Sequence, residues 1–166
     1  SNQSDGNCGT CNAQCQSNQH CQACFVAGTK VKMADGTELA IEKIRKGDKI
    51  LAFDTHTDSL VRTVVTKTFV HPPEATAYTL VINGSLRATP NHPFFANHAW
   101  VRADHLKPGD RIIVLDNHDF KSDTIRSIKN AKGHVTTYNI EVNGVHDYFA
   151  NGLLVHNKFP FCTDQY

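Results

Sequence analysis

Residues 34–54 read ADGTELAIEKIRKGDKILAFD, and residues 96–116 read ANHAWVRADHLKPGDRIIVLD. The second stretch lies over the first at a constant offset of 62 positions without a gap. Each copy predicts a short helical turn, a turn at Gly-Asp, and then an apolar strand. An internal repeat of this kind predicts two related halves. Packed about a pseudo-two-fold axis, two such halves would bring the ends of the domain together in the middle.

The region around the repeat predicts an all-β domain. Its short alternating runs are rich in Val, Ile, Thr and Phe, and Asx-Gly pairs interrupt them. Such pairs favour tight hairpin turns because both residues tolerate positive φ. The pairs are Asp35-Gly36, Asn83-Gly84, Asn143-Gly144 and Asn151-Gly152. Only the segments IEKIRKGD and RADHLKPGD suggest helical turns, and each ends at Gly.

Length, composition and charge exclude several classes of function. The chain has 166 residues, of which 40% are hydrophobic, so we expect one ordinary domain with short tails. The formal charge of +1 is not the strongly basic balance that is typical of proteins that bind nucleic acids or membrane surfaces. No apolar run approaches about 18 residues, the length a membrane span needs. We therefore expect no nucleic-acid or membrane partner, and we expect the domain to be a monomer.

The cysteines are concentrated before the apolar region. Cys8, Cys11, Cys15 and Cys21 lie in a polar segment rich in Asn and Gln. They are compatible with two disulfides, with unpaired thiols, or with a zinc site that includes His20, although the spacing fits no zinc module well. A secreted or cell-surface host protein would suit this segment, and its localisation stays open.

Three motifs in the remaining sequence carry a family resemblance. They are CFVAGTKV from Cys24, ATPNHPFF with a Thr-x-x-His pair, and YNIEVNGVHDYFANGLLVHN, which ends at Asn157. The order and spacing resemble the A-type bacterial intein-like domains of the Hedgehog/intein (HINT) superfamily. The resemblance implies the all-β HINT horseshoe fold with pseudo-two-fold related halves. It also implies single-turnover self-processing without a cofactor or metal. The domain would span residues 24–157, with residues 1–23 and 158–166 as its flanks.

Cys24 is the predicted nucleophile at the first cleavage site. Its thiol is placed to attack the Ala23 carbonyl through a five-membered ring, which converts the amide into a thioester. This N-to-S acyl shift needs a thiolate and a protonated leaving nitrogen. A cysteine alone is more often a buried structural thiol. The accompanying motifs favour the nucleophile.

Thr89 and His92 are the predicted helpers of this step. One turn can aim both at the same scissile amide. By the resemblance, His92 polarises and protonates the Cys24 amide nitrogen, and Thr89 supports it. A histidine that titrates near neutral pH suits the role. The alternative is an ordinary loop histidine between two prolines.

Asn157 is the predicted residue of the second cleavage site. Its side-chain amide can attack its own main-chain carbonyl, close a succinimide ring and break the bond to Lys158. The nucleophile is tethered to its electrophile, so proximity supplies much of the rate. By the resemblance, His146 and the penultimate His156 supply protons and stabilise the oxyanion.

Two residues depart from the family pattern. Asn139 stands where the family usually has Asp, so an acid that would relay protons is missing. Lys158 stands where standard inteins have Cys, Ser or Thr to accept the acyl group. Three outcomes follow: hydrolysis or capture of the thioester by an external thiol or amine, independent Asn157 cleavage, and minor ligation by the Lys158 α-amine.

Two other functions explain parts of the sequence. A non-catalytic extracellular module would explain the cysteine-rich segment but would leave the three motifs as coincidence. Hedgehog-type acyl transfer to an alcohol would use Cys24 and Thr-x-x-His but has no use for a terminal His-Asn. Self-processing accounts for all the motifs together.

Overall fold

The computed structural model describes residues 23–157, which form an all-β domain. The strands are β1 (Phe25–Val26), β2 (Lys30–Lys32), β3 (Glu38–Ala40), β4 (Lys49–Asp54), β5 (Ser59–His71), β6 (Tyr78–Ile82), β7 (Leu86–Ala88), β8 (Pro93–Ala96), β9 (Ala99–Arg102), β10 (Arg111–Asp116), β11 (Asp119–Thr124), β12 (Ile128–Lys132), β13 (Thr137–Val142), β14 (Asp147–Ala150) and β15 (Leu153–His156). Three 3₁₀ turns are η1 (Ile41–Lys43), η2 (Pro73–Ala75) and η3 (Ala103–His105). The cysteine-rich segment and both predicted flanks, apart from Ala23, lie outside the described residues.

The strands form two sheets. The first has the order β9-β8-β10-β15-β14-β2-β3, with β11 added beside β10. The second has the order β12-β6-β7-β1-β13-β5-β4. All strand pairs within residues 23–157 are antiparallel. No helix in this described region is long and apolar enough to cross a membrane.

The two halves predicted by the internal repeat are present in the fold. At the offset of 62 positions, η1 maps onto η3 and β4 maps onto β10. The glycine turns match as well: Gly47 donates to the Val65 carbonyl, and Gly109 donates to the Ile125 carbonyl, both at 2.8 Å. These glycines have φ of +96° and +95°, which residues with a Cβ rarely adopt. The prediction of two related halves is confirmed.

Not every Asx-Gly pair closes a hairpin. In Asn83-Gly84 and in Asn151-Gly152 both residues have positive φ, and each pair closes a hairpin, β6–β7 and β14–β15. The same prediction for Asn143-Gly144 is wrong, because β13 and β14 belong to different sheets. All four residues of β14 are buried, so this strand needs partners on both edges, and it finds them in β15 and β2.

The apolar core extends between the two sheets. Phe25 of the second sheet and Phe94 and Tyr148 of the first are fully buried in one cluster. Burying a side chain of this size stabilises the folded state by about 1.5–3 kcal/mol. The core therefore packs the strands next to the predicted reacting residues, β1 after Cys24 and β15 before Asn157.

Both ends of the predicted domain enter this interior. β1 lies between β7 and β13, so Cys24 approaches the middle of its sheet. Asn157 directly follows β15, which is central in the other sheet. Cys24 is 1% exposed and Asn157 is 0% exposed. β13 connects the two ends, because it pairs with β1 while the side chain of its Asn139 bonds the Asn157 carbonyl. The ends meet in the middle, as the repeat predicts.

Candidate active site

The amide between Ala23 and Cys24 is held by Thr89. The Cys24 N–H donates to Thr89 Oγ1 at 3.0 Å, and the Thr89 N–H donates to the Cys24 carbonyl at 2.9 Å. The Thr89 hydroxyl donates in turn to Asn91 Oδ1 at 2.7 Å. Because its proton is engaged by Asn91, the Thr89 oxygen faces the scissile N–H as an acceptor. Asn91 is a buried polar residue that the sequence motifs did not single out.

The Cys24 thiol is protonated at neutral pH. Burial raises its pKa from 9.0 to about 12, and the Thr137 hydroxyl beside it opposes this only in part. A thiol is a weak nucleophile until it loses its proton. The acyl shift at Cys24 therefore needs a base.

His92 lies fully buried with its two ring nitrogens in different situations. Nε2 is 2.9 Å from the His156 carbonyl oxygen. A carbonyl can only accept, so Nε2 carries the proton and Nδ1 keeps its lone pair. Among residues 23–157, Nδ1 has no hydrogen-bond partner. The ring lies 4.0 Å from that of Phe25, the residue after Cys24.

Burial lowers the pKa of His92 to about 3, and the hydrogen bond to His156 offsets this only in part. The expectation that His92 titrates near neutral pH is therefore wrong, because the imidazolium would have to exist without solvent. The contact with the Cys24 nitrogen is made by Thr89, not by His92. At rest His92 therefore offers an unprotonated ring nitrogen that can accept a proton, and it holds no acidic imidazolium proton.

The turn from Thr89 to His92 connects the two ends of the domain. Thr89 contacts Cys24 at one end, and His92 contacts the His156 carbonyl, which belongs to the peptide bond before Asn157, at the other. The His92 N–H also donates to the Thr89 carbonyl at 3.1 Å and tightens the turn. A single turn therefore contacts both predicted cleavage sites.

Asn157 is held at its main-chain nitrogen, its side-chain nitrogen and its main-chain oxygen. Its N–H donates to the His146 carbonyl at 2.8 Å, and its side-chain Nδ2 donates to the Val142 carbonyl at 3.4 Å. Its main-chain oxygen accepts from Asn139 Nδ2 at 2.5 Å. Its side-chain Oδ1 has no partner among the described residues. The amide that would attack and the carbonyl that it would attack are both positioned by β13 and by the loop after it.

His146 and His156 lie next to this residue. His146 adopts φ of +61° and donates from Nδ1 to the Val142 carbonyl at 3.0 Å. The carbonyl of Val142 therefore binds both the His146 ring and the Asn157 amide. The rings of His146 and His156 are 6.4 Å apart, and His156 packs edge-on against Trp100 at 4.7 Å. The fold thus places all six predicted site residues at the two ends of the domain. They are Cys24, Thr89, His92, His146, His156 and Asn157.

Two charged or polar residues near Asn157 were not predicted from sequence. Asp147 pairs with His156 across β14 and β15, is 1% exposed, and accepts the Phe53 N–H at 2.9 Å. Burial raises the pKa of Asp147 to about 8. Tyr148 donates to Asn139 Oδ1 at 2.8 Å. The only sequence signal for Asp147 and Tyr148 was their place directly after His146.

The fold and the position of these residues define a class of protein, the intein-like domains of the HINT superfamily. A bacterial intein-like domain from Clostridium thermocellum matches with a TM-score of 0.69 and 32% identity, covering 81% of this chain and 98% of that one. A DnaB intein from Synechocystis matches with a TM-score of 0.71 and 24% identity, covering 82% and 99%. This second likeness is one of fold.

The chain belongs to the family of pretoxin HINT domains, whose model matches residues 30–158. Family and fold support autoprocessing in general. Among curated proteins, RecA of Mycolicibacterium fallax is 32% identical over 105 residues, which is 57% of this chain and 25% of that protein. The chain thus corresponds to about a quarter of the length of that relative.

Proposed function

We propose that the domain cuts its own flanks at two bonds, Ala23–Cys24 and Asn157–Lys158, with cleavage as the main outcome. The observation that carries the proposal is the set of hydrogen bonds around Asn157. Both its side-chain nitrogen and its main-chain oxygen are held inside the protein, next to two histidines. A buried Asn whose attacking amide and attacked carbonyl are both held in place in this way is suited to cyclisation.

At the first bond, Cys24 Sγ attacks the Ala23 carbonyl carbon. The C–S bond forms, the C–N bond breaks, and the thiol proton is transferred to the Cys24 nitrogen. Two features support His92 as the carrier of that proton: its unprotonated Nδ1 and the packing of its ring on Phe25 beside Cys24. Thr89 holds the scissile N–H in place meanwhile. Water, an external thiol or an external amine then takes the acyl group.

At the second bond, Asn157 Nδ2 attacks the carbonyl carbon of Asn157. The succinimide ring closes, the bond to Lys158 breaks, and one proton from Nδ2 ends on the leaving nitrogen. His146 and His156 carry this proton, which is the task of general acid–base groups. The two steps use different atoms and proceed independently.

Ligation is the minor outcome. Lys158 has neither hydroxyl nor thiol, so it cannot accept the acyl group before Asn157 is cleaved. Afterwards its α-amine can attack a thioester that is still present, joining Ala23 to Lys158. The family name suggests a use for the major outcome: in a toxin precursor, cleavage after Asn157 would release the segment that follows. The domain acts as a monomer on its own flanks.

Intact-mass spectrometry of the purified chain, incubated with and without dithiothreitol, tests the proposal in one experiment. It separates the uncut chain, the fragments from each cleavage and any ligated product. We expect thiol to release residues 1–23, and residues 158–166 to be released without thiol. A chain that stays uncut under both conditions would contradict the proposal.

A further inference from the structure

Asn139 is locked in one orientation by two donors. It is 1% exposed, and its Oδ1 accepts both the Tyr148 hydroxyl and the Ile140 N–H at 2.8 Å. Because these two groups donate, the atom that they share must be the oxygen of the amide. Nδ2 is then the other terminal atom, and it donates to the main-chain oxygen of Asn157. The Ile140 N–H can only donate and the Asn157 carbonyl can only accept, so these two contacts fix the orientation, and the Tyr148 hydroxyl then donates to Oδ1.

The oxygen that Asn139 contacts is the one on which negative charge develops. When Asn157 Nδ2 adds to the adjacent carbonyl carbon, the C–O bond pair moves onto this oxygen. It returns when the bond to the Lys158 nitrogen breaks and that nitrogen takes up the proton lost from Nδ2. A hydrogen bond to an oxyanion is stronger than one to a neutral carbonyl. A donor already in place therefore stabilises the transition state more than the ground state.

We propose that Asn139 is a catalytic residue whose Nδ2 stabilises the oxyanion of Asn157 cyclisation, and that Tyr148 positions it. This role rests on the proposed Asn157 cleavage. It also reverses the expectation that Asn139 merely lacks a useful acid. An ionised Asp at this position would turn a negative oxygen toward the Asn157 carbonyl, whereas the amide donates whatever the pH.

Tyr148 is suited to hold Asn139 in this orientation. Burial keeps the pKa of Tyr148 well above its ordinary value, and the nearby Cys24 thiolate, where it forms, would raise it further. The hydroxyl therefore stays protonated and remains a donor to Asn139 Oδ1. It acts through Asn139, as a positioning residue.

The test measures both cleavages by intact mass in Asn139→Ala and Asn139→Asp, with the exposed Asn130→Ala as the matched control. We expect Asn139→Ala to slow release of residues 158–166 by about 100-fold, the usual effect of losing one oxyanion donor. Thiol-dependent release of residues 1–23 should be unchanged. Wild-type kinetics at Asn157, or an equal loss at both bonds, would overturn the role.

Asn139→Asp gives a pH signature that a structural role would not produce. Its carboxyl can donate only when protonated, so the rate relative to wild type should fall as pH rises through the pKa of the new carboxyl. At acid pH the two rates should approach each other. A ratio that stays constant with pH would overturn the proposal.

NMR of the uncut, ¹⁵N-labelled chain examines the hydrogen bond without relying on cleavage. One side-chain amide proton of Asn139 should resonate downfield and be protected from exchange, and Tyr148→Phe should reduce that protection. A rapidly exchanging amide would overturn the inference even in an active chain. A protected amide in a chain that cuts neither bond would instead reject the proposed function together with its catalytic use.

Discussion

The two predicted cleavage sites are both buried, but they differ in whether the reacting groups are already in a position and a protonation state that allow reaction. At the Asn157 site the attacking amide and the attacked carbonyl already have their hydrogen-bond partners. At the Cys24 site the scissile N–H is held by Thr89, while burial raises the pKa of the thiol to about 12. The Asn157 site is organised around neutral groups, whereas the Cys24 site cannot react until the thiol loses its proton.

This difference predicts distinct responses to pH and to added nucleophiles. Cyclisation of Asn157 needs no external reactant, so it should proceed in the isolated chain. Reaction at Cys24 needs deprotonation inside a dry site and then an acceptor for the acyl group. The turn from Thr89 to His92 contacts both sites, so the comparison can be tested by removing one site at a time.

Asn157→Ala should abolish release of residues 158–166, because the attacking amide is gone. Ligation should disappear as well, since the α-amine of Lys158 is never freed. Thiol-dependent release of residues 1–23 should continue, as measured by intact mass, with the exposed Asn130→Ala as control. A ligated product in Asn157→Ala would mean that another group, such as the Lys158 side-chain amine, accepts the acyl chain.

Cys24→Ala should abolish release of residues 1–23 by hydroxylamine or dithiothreitol. In the wild type, the rate of this release should increase by about tenfold for each unit that pH rises, as long as pH stays below the thiol pKa of about 12. The reason is that the thiolate fraction increases in that proportion. Release of residues 158–166 should lack this dependence. Cleavage after Ala23 that persists in the alanine variant would indicate a contaminating protease.

His156→Ala should slow release of residues 158–166 by about 100-fold, the scale of a lost general acid or base. The step at Cys24 should slow less, since the carbonyl of residue 156 that contacts His92 is kept in the variant. The exposed His98→Ala is the matched control, and the two rates are followed by intact mass. Equal losses at both bonds would assign His156 a structural role.

Lys158→Cys should increase the ligated fraction several-fold, because a thiol at this position can take the acyl group from Cys24 intramolecularly. Lys158→Ala, which adds no nucleophile, should leave the fraction at the wild-type level. Quantitative mass spectrometry of the ligated and cleaved products measures both. An unchanged fraction in Lys158→Cys would show that residue 158 does not reach the thioester.

Asp147→Asn should change stability rather than the choice of bond. Burial raises the pKa of Asp147 from 3.8 to about 8, so its contribution to stability is present below about pH 4 and is lost as pH rises to about 8. The variant can still accept the Phe53 N–H. We expect it to be more stable than wild type by about 1–3 kcal/mol at pH 8 and unchanged at pH 4.

Thermal unfolding in the non-cleaving Cys24→Ala/Asn157→Ala background measures this difference. The exposed Asn130→Ala, which removes no titratable group, should show no comparable pH dependence. A stability difference that does not vary between pH 4 and pH 8 would contradict a protonated Asp147.

Much of the fold and part of the site could be predicted because their signals are local. Asn151-Gly152 predicts its hairpin from backbone preference alone, and the repeat predicts matching turns at Gly47 and Gly109. The hairpin predicted at Asn143-Gly144 is wrong, because the same local preference does not determine in which sheet the next strand pairs. The tautomer of His92 was out of reach for a similar reason, since it depends on a carbonyl 64 positions away.

The sequence by itself determined the all-β class, the two halves and the residues able to react, because periodicity, turn chemistry and functional groups are properties of the chain. Only the tertiary structure decided the states of those residues. Burial made the His92 imidazole neutral and the Cys24 thiol protonated, since charge is costly away from water. The contact between β13 and the residue after β15 made Asn139 a donor to the Asn157 carbonyl.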